Sequence, residues 1–208
     1  MKIIVSWLFC VLIITGLSAC GNTEPPAHIL SAVASSARSA EQVARDPARL
    51  PAEVLTLVGV NEGDHIIEIT TFGQYYTDIL VEAVGDEGMI EMYDMPYLAD
   101  FGAAGPAREF AASHGNAEYY LVDYNEANFP AEVDAVLNVL FYHDLQAQNV
   151  DTAVLNKKMF DALKPGGKYL IIDHKAEAGS GWRDSGTIHR IDPDVIISEV
   201  TAAGFELV

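Results

Sequence analysis

The chain has 208 residues, of which 50% are hydrophobic and 20% charged, and this composition excludes a disordered or a collagen-like protein. Asp and Glu number 30 against 12 Lys and Arg, so the net charge of −18 excludes charge-driven binding to nucleic-acid phosphates or to an anionic lipid surface. The two cysteines are Cys10 and Cys20, and removal of the first with a leader would leave no intramolecular disulfide.

The N-terminus has the pattern of an export signal. A basic Lys2 precedes the apolar residues 3–17, a stretch that is too short for a membrane span but suits the apolar region of a secretory signal. Its end, Leu17-Ser18-Ala19-Cys20, resembles the lipobox of bacterial lipoproteins. We therefore predict a signal peptide over 1–19, lipidation of Cys20 and a lipid-anchored linker over 20–27. An ordinary cleaved signal with a chance cysteine is the alternative.

This resemblance also implies where the mature protein resides. Lipid chains on Cys20 would hold it on a bacterial membrane, exported and facing the periplasm. Gly21 is not the aspartate associated with retention in the inner membrane, which favours the outer membrane. The membrane, through this anchor, is thus an expected partner, together with a small-molecule ligand. Nucleic acid is not expected.

The remaining chain, 28–208, alternates predicted helices and strands and reads as one domain. Helices are predicted over 27–44, 51–58, 74–84, 97–113, 150–163 and 194–203. Strands are predicted over 65–69, 89–93, 118–122, 133–140 and 169–172. Strands that are apolar on both faces and alternate with helices indicate an α/β fold with a doubly wound, mostly parallel sheet. We expect the strand order 3-2-1-4-5.

Polar residues follow the predicted strands, where ligands bind in such sheets. Glu68 lies near the end of the first strand, and Gly73 follows in the next turn. Asp94 follows the second strand, 21 residues beyond Gly73, a spacing that suits a carboxylate binding a ribose diol. Asp123 follows the third strand, and Asn138 lies near the end of the fourth.

Five segments carry a family resemblance. They are Arg45–Leu55, Tyr75-Tyr76, Tyr142-His143-Asp144, Leu163–Gly167 and Gly186–Pro193. With them the sequence resembles the class I S-adenosylmethionine-dependent methyltransferases, and in particular a family of predicted bacterial methyltransferases. The resemblance covers about residues 45–208 and implies a Rossmann-like fold that transfers a methyl group from S-adenosylmethionine to an unknown acceptor.

The resemblance also assigns roles to individual residues. Glu68 and Gly73 would line the methionine side of the cofactor, Asp94 the ribose and Asp123 the adenine edge. Asn138, Tyr142 and His143 would face the transferred methyl group. The implied cofactor-binding set is therefore Glu68, Gly73, Asp94, Asp123 and Asn138, and the implied catalytic set is Tyr142, His143 and Asp144.

The chain departs from this family at two places. Thr70, Phe72 and Gln74 stand where members keep small residues that let the backbone approach the cofactor, and Phe72 is bulky enough to fill the cofactor's place. The chain stops at Val208, where the sixth strand would begin, so the last two strands are expected to be missing and the fifth to be an exposed edge. These departures keep open an alternative, a non-catalytic exported binding or scaffold lipoprotein.

The residues after the fourth and fifth strands allow two further interpretations. His143 could act as a general base oriented by Asp144, or the pair could cap a helix. Asp173, His174 and His189 could join His143 as metal ligands, but their spacing matches no zinc signature, and no metal site is predicted.

Overall fold

The computed structural model describes residues 24–208. Within them the strands are β1 (His65–Ile69), β2 (Met89–Asp94), β3 (Ala117–Leu121), β4 (Val133–Val139) and β5 (Leu163–Ile172). The longer helices are α1 (Ala27–Val33), α4 (Pro51–Val58), α5 (Tyr75–Val84), α6 (Ala104–Ser113), α7 (Thr152–Ala162) and α9 (Pro193–Ala202). One-turn helices are α2 (Ala40–Val43), α3 (Asp46–Arg49) and α8 (Ser185–Ile188).

The strands form one parallel sheet in the order β3-β2-β1-β4-β5. Ile66 of β1 lies between Ile90 of β2 and Ala135 of β4. This confirms the predicted fold class and strand order. The order reverses between β1 and β4, so their carboxyl ends flank the position where ligands bind in such sheets.

Both faces of the sheet are covered, which explains why the central strands are apolar throughout. One core layer contains Ile66 and Leu137 with apolar residues of α1, α4, α5 and α6. The other contains Ile67 and Val136 with residues of α7. Alternate residues of each strand face opposite layers, and a strand buried on both sides needs apolar residues at nearly every position.

The predicted turn before the fifth strand is a bulge within β5. Val133 pairs with Leu163, whereas Ala135 pairs with Lys168, so residues 164–167 loop out of the ladder. Gly166 has a φ of 85°, which favours glycine at this point. The strand therefore begins earlier than the predicted residue 169.

Two predicted helices are interrupted. The segment 27–44 contains α1 and α2, separated because Ser39 starts a new helix through a capping box with Gln42. The segment 97–113 contains a 3₁₀ helix, Pro96–Phe101, and then α6, with Gly102 at a φ of 80° between them. The prediction of one helix over 27–44 was wrong because local capping outweighs apolar spacing. Over 97–113 the interruption falls at Gly102, a glycine that weakens the helical pattern in the sequence itself.

The predicted signal peptide and Cys20 lie outside the described residues, as does the first half of the predicted linker. Among residues 24–208, no helix has the length and apolar character needed to cross a membrane. At the other end of the sheet, β5 pairs with β4 alone within the described part, as expected of an edge strand.

Candidate functional site

The loop after β1 has an unusual backbone. Thr70 has a φ of 66°, Gly73 of 78° and Gln74 of 46°. Left-handed backbone is uncommon outside glycine and is a true outlier for a β-branched residue such as Thr70. The backbone is thus left-handed at three positions of this loop, and two of them, Thr70 and Gln74, are not glycine. Phe72 does not fill the crevice as the sequence suggested, because 57% of its surface is exposed.

Asp94, at the end of β2, is fully buried and bound by the loop after β1. Its Oδ1 accepts hydrogen bonds from the Thr71 amide at 2.7 Å and the Thr71 hydroxyl at 3.3 Å, and its Oδ2 accepts one from the Tyr119 hydroxyl at 3.2 Å. Burial raises the pKa of the Asp94 carboxyl, although these donors oppose the shift. Gly73 is two residues beyond Thr71, so the Cα atoms of these two residues are at most about 7 Å apart.

Glu68, in β1, is also buried. Its Oε2 accepts a hydrogen bond from the Thr77 hydroxyl of α5 at 2.7 Å. Burial raises the pKa of Glu68 to about 8, and the nearby Asp94 and Asp78 charges add to the shift. Glu68 therefore holds the start of α5 against β1, beneath the loop.

Thr70 connects this loop to the chain after β3. Its hydroxyl lies 3.0 Å from the hydroxyl of Tyr124, which donates to the carbonyl of Tyr93 at 2.8 Å. Since that donation uses the Tyr124 proton, Thr70 donates to Tyr124. Asp123, next to Tyr124, accepts a hydrogen bond from the Asn125 amide at 2.8 Å and so shapes its own turn.

Asn138, at the end of β4, is fully buried. Its Nδ2 donates to the Tyr169 hydroxyl at 3.4 Å, a long hydrogen bond, and its Oδ1 has no partner among the described residues. A buried amide oxygen without a partner is unfavourable unless water or a ligand reaches it. The Asn138 side chain can therefore accept a further hydrogen bond through Oδ1. In the sheet Asn138 pairs with Ile69 of β1, at the point where the strand order reverses.

His143 lies in a 3₁₀ turn, Tyr142–Asp144, that follows β4. Its Nδ1 lies 2.6 Å from Oδ1 of Asp173, and its amide donates to Oδ2 of the same carboxylate at 2.8 Å. Burial by itself lowers the pKa of His143, but the hydrogen bond and charge of Asp173, with the charge of Asp144, raise it on balance. The carboxylate that hydrogen-bonds to the His143 ring is therefore Asp173, which follows β5, and not the neighbouring Asp144.

Asp144 lies on the other side of the His143 ring. Its Oδ1 is 3.5 Å from Nε2 of His143 and 3.2 Å from Nδ1 of His189. His189 ends α8 with a left-handed φ of 52°. One His, one Asp and a second His thus converge from two loops beyond β4 and β5.

Tyr142, to which the resemblance assigned a place beside the transferred methyl group, packs into the core in the structure. Its side chain is fully buried and stacks on Trp182 with ring centroids 6.0 Å apart. Its hydroxyl accepts from Asn156 at 2.7 Å and donates to Glu199 at 2.8 Å. With both hydrogen-bonding functions satisfied in the core, Tyr142 holds the turn that positions His143.

A groove of about 920 Å³ runs along the outer side of β5. Apolar residues dominate its wall, including Tyr169, Ile171 and Phe205, and it reaches Asp173 at one end. It is an uncovered flank of an edge strand rather than the crevice between β1 and β4. We therefore assign the candidate site to the carboxyl ends of the strands, where the polar residues converge.

No protein-family model matches this sequence, and no curated protein sequence matches it. Solved structures do match. A SAM-dependent methyltransferase from Aquifex aeolicus shares 20% identity at a TM-score of 0.61, over 80% of this chain and 87% of that one. The fibrillarin of Aeropyrum pernix, solved with S-adenosyl-L-methionine bound, shares 17% identity at a TM-score of 0.54, over 74% of this chain and 64% of that one.

The chain has the fold of the class I methyltransferases. Because the identities are low, the likeness establishes the fold alone. The same fold is found in the cyclase SpnF, with 20% identity and a TM-score of 0.60 over 86% of this chain and 69% of that one. A methyltransferase fold therefore does not by itself specify methyl transfer, and the site must carry the functional argument.

Within this methyltransferase fold, sequence reasoning missed two contacts. It did not pair Thr71 with Asp94, and it considered Asp173 only as a metal ligand and not as the partner of His143. The contact between His143 and Asp173 could have been predicted from their positions in the sequence. Asp173 directly follows β5, His143 follows β4, and the ends of adjacent parallel strands lie side by side.

Proposed function

We propose that the protein is an S-adenosylmethionine-dependent methyltransferase that transfers a methyl group to a still unidentified small-molecule acceptor. The observation that carries the proposal is the left-handed backbone at Thr70, Gly73 and Gln74, at the strand-order reversal of a methyltransferase fold. Strained backbone persists where the surrounding structure enforces it, and such positions cluster at functional sites.

The residues present fit the cofactor in part. Asn138 Oδ1 is buried without a partner and could accept a hydrogen bond from a ligand. Asp94, in contrast, is fully buried and already accepts hydrogen bonds from Thr71 and Tyr119, so a ribose could reach its remaining lone pairs only if the loop moved. We therefore propose weak cofactor binding that requires the loop 70–74 to move.

Each residue group would have a separate task in this reaction. Glu68 and Gly73 would line the methionine side, Asp94 the ribose and Asp123 the adenine edge. Asn138, His143 and Asp144 would lie on the acceptor side. When bound, the cofactor supplies an electrophilic methyl group on a sulfonium. The protein's contribution is to position the acceptor for displacement and to exclude water.

A second candidate function is that of a non-catalytic binding or scaffold protein. The hydrogen bond from Thr71 to Asp94 favours it, because this contact closes the ribose side of the crevice with the protein's own backbone. An exported protein would also have no evident supply of a cofactor that is made in the cytoplasm.

We further propose that the chain is a lipoprotein anchored through Cys20 to the periplasmic face of a bacterial membrane, with the outer membrane favoured. The proposal rests on Leu17-Ser18-Ala19-Cys20 and Gly21. With a net charge of −18, the lipid chains rather than the protein surface would provide membrane affinity.

Calorimetric titration of the full chain in mild detergent with S-adenosylmethionine separates the two functions. The methyltransferase proposal expects saturable one-to-one binding that is weakened in Asp94→Asn. Asparagine retains an oxygen that can accept the Thr71 amide, so the fold should persist while a ribose loses its carboxylate partner. Absence of binding by the folded wild-type protein would favour the non-catalytic function.

A further inference from the structure

Three potential metal ligands converge beyond the ends of β4 and β5. They are His143 and Asp144 in the 3₁₀ turn and His189 after α8, and one donor atom from each lies within 4.8 Å of the others. We propose that these three side chains bind a divalent transition-metal ion through His143 Nε2, the Asp144 carboxylate and His189 Nδ1. The inference does not depend on methyl transfer.

The distances suit a shared ion. Asp144 Oδ1 is 3.5 Å from His143 Nε2 and 3.2 Å from His189 Nδ1. Two donors bound at about 2.1 Å to one tetrahedral ion lie about 3.4 Å apart. The 3.5 Å separation exceeds the usual range of an N–H···O hydrogen bond, so Asp144 faces Nε2 without one of ordinary length.

Asp173 orients His143 as metal-binding histidines are oriented in proteins. Ligating histidines usually donate their second ring N–H to a carboxylate or carbonyl, which fixes the ring and its tautomer. His143 Nδ1 lies 2.6 Å from Asp173 Oδ1, and the His143 amide holds the other carboxylate oxygen. A proton on Nδ1 leaves the lone pair of Nε2 directed toward Asp144 and His189.

The burial of the three ligands changes stepwise. The side chain of His143 is 5% exposed, that of Asp144 22% and that of His189 64%. The buried His143 is thus held in place by its surroundings, whereas the exposed His189 side chain can move toward an ion bound by the other two ligands. Three protein ligands leave at least one coordination position for water or a substrate oxygen, as in catalytic rather than structural metal sites.

The ligand set defines the class of ion. Two imidazoles and one carboxylate suit Zn²⁺, Fe²⁺ or Co²⁺ rather than Ca²⁺ or Mg²⁺, which prefer oxygen ligands. The net charge of −18 also favours a cation. Linear spacing conceals such a site, because Asp144 and His189 are 45 residues apart and meet only in the folded chain.

His174 provides a matched control. Its ring centroid lies 6.5 Å from that of His143, yet it is not one of the three clustered ligands. His189→Ala and Asp144→Asn remove partly exposed ligands, so these variants should fold. Asp173→Asn should leave all three ligands in place while weakening the orientation of His143.

The full chain, without a histidine tag and after treatment with a chelator, is titrated with Zn²⁺ by calorimetry and with Co²⁺ by visible absorption. We expect one ion per chain, with Co²⁺ bands typical of nitrogen ligation. Asp173→Asn should lower the affinity about 10–100-fold, as outer-shell changes do. His189→Ala and Asp144→Asn should lower it at least as much, and His174→Ala less than about threefold.

Two results would overturn the proposal. One is a folded wild-type chain that binds neither ion stoichiometrically. The other is binding that His189→Ala, Asp144→Asn and His174→Ala all leave equally strong, which would place the ion elsewhere on this acidic surface. Titration with S-adenosylmethionine is a separate measurement, so failure of the proposed function leaves this result intact, and the reverse also holds.

Discussion

The backbone amide of Thr71 donates to Oδ1 of Asp94 over 2.7 Å, so the loop after β1 is bound to the carboxylate at the end of β2. The same Oδ1 also accepts the Thr71 hydroxyl at 3.3 Å. In a ribose-binding site this carboxylate would be free for the ligand. Binding of the proposed cofactor would therefore require loop 70–74 to release the Asp94 carboxylate.

Gly73→Ala should lower the free energy of unfolding by about 1–2 kcal/mol, because an L side chain disfavours left-handed backbone. Gly73 has a φ of 78°, and an added Cβ would meet nothing within 4 Å, so the effect is conformational alone. The control is Gly105→Ala in α6, also with open space around its Cβ, which should raise stability by about 0.5–1 kcal/mol. Denaturant melts measure the change in the free energy of unfolding for both variants. If the two changes had the same sign, the interpretation would be contradicted.

Phe72→Gly combined with Gln74→Gly should strengthen binding of S-adenosylmethionine by about tenfold or more, equivalent to about 1.4 kcal/mol. The two added glycines make loop 70–74 easier to move, so that Thr71 can release Asp94, and glycine suits the φ of 46° at position 74. Phe72 is largely exposed, so little packing is lost. Calorimetry compares the double variant with Gln74→Gly alone. Low-micromolar binding by the wild-type chain would show that movement of loop 70–74 does not limit cofactor binding.

Stability should fall as the pH rises from about 4.5 to about 8 because of Glu68. Its pKa is raised from the ordinary 4.5 to about 8 by burial, so in this window the folded chain holds a proton that the unfolded chain has lost. The free energy of unfolding then decreases by up to about 1.4 kcal/mol per pH unit. Glu68→Gln should remove this component. Denaturant melts between pH 4.5 and 8 measure how the free energy of unfolding depends on pH, and Glu53→Gln, at an exposed position, is the control. If Glu68→Gln had the same pH dependence as the wild-type protein, the prediction would be contradicted.

Tyr142→Phe should lower the free energy of unfolding by about 1–3 kcal/mol, since it leaves the buried amide of Asn156 and one oxygen of the half-buried Glu199 carboxylate without their partner. Tyr97→Phe is the control, because the Tyr97 hydroxyl has no hydrogen-bond partner among residues 24–208. Denaturant melts compare the two. A direct role of Tyr142 in chemistry would instead appear as lost activity at unchanged stability.

Mass spectrometry of the membrane fraction should find an acylated N-terminal Cys20. Cys20→Ser should shift the protein out of that fraction, because the lipid chains provide the anchor. Cys10→Ser, within the predicted signal peptide, is the matched control and should leave the mature N-terminus unchanged. A mature protein that starts elsewhere and is recovered without lipid would overturn the lipoprotein assignment.

The pattern of apolar residues along the chain is enough to predict the fold. Five segments apolar on both faces, separated by helices, require a covered parallel sheet, and right-handed crossovers then leave few strand orders. The same reasoning brought Asp94, Asn138 and His143 to the carboxyl ends of the strands, because position along a strand fixes which edge a residue occupies.

Which side chains meet at that edge could not be predicted from the sequence and is seen only in the folded chain. The residues that meet come from segments far apart in the chain: Thr71 with Asp94, His143 with Asp173, and Asp144 with His189, at separations of 23, 30 and 45 residues. Their distances depend on loop conformation, including left-handed residues such as Thr70 and His189 that neither apolar periodicity nor residue preference predicts. Periodicity follows from regular hydrogen bonding within helices and strands. Loop geometry follows from packing against the whole fold.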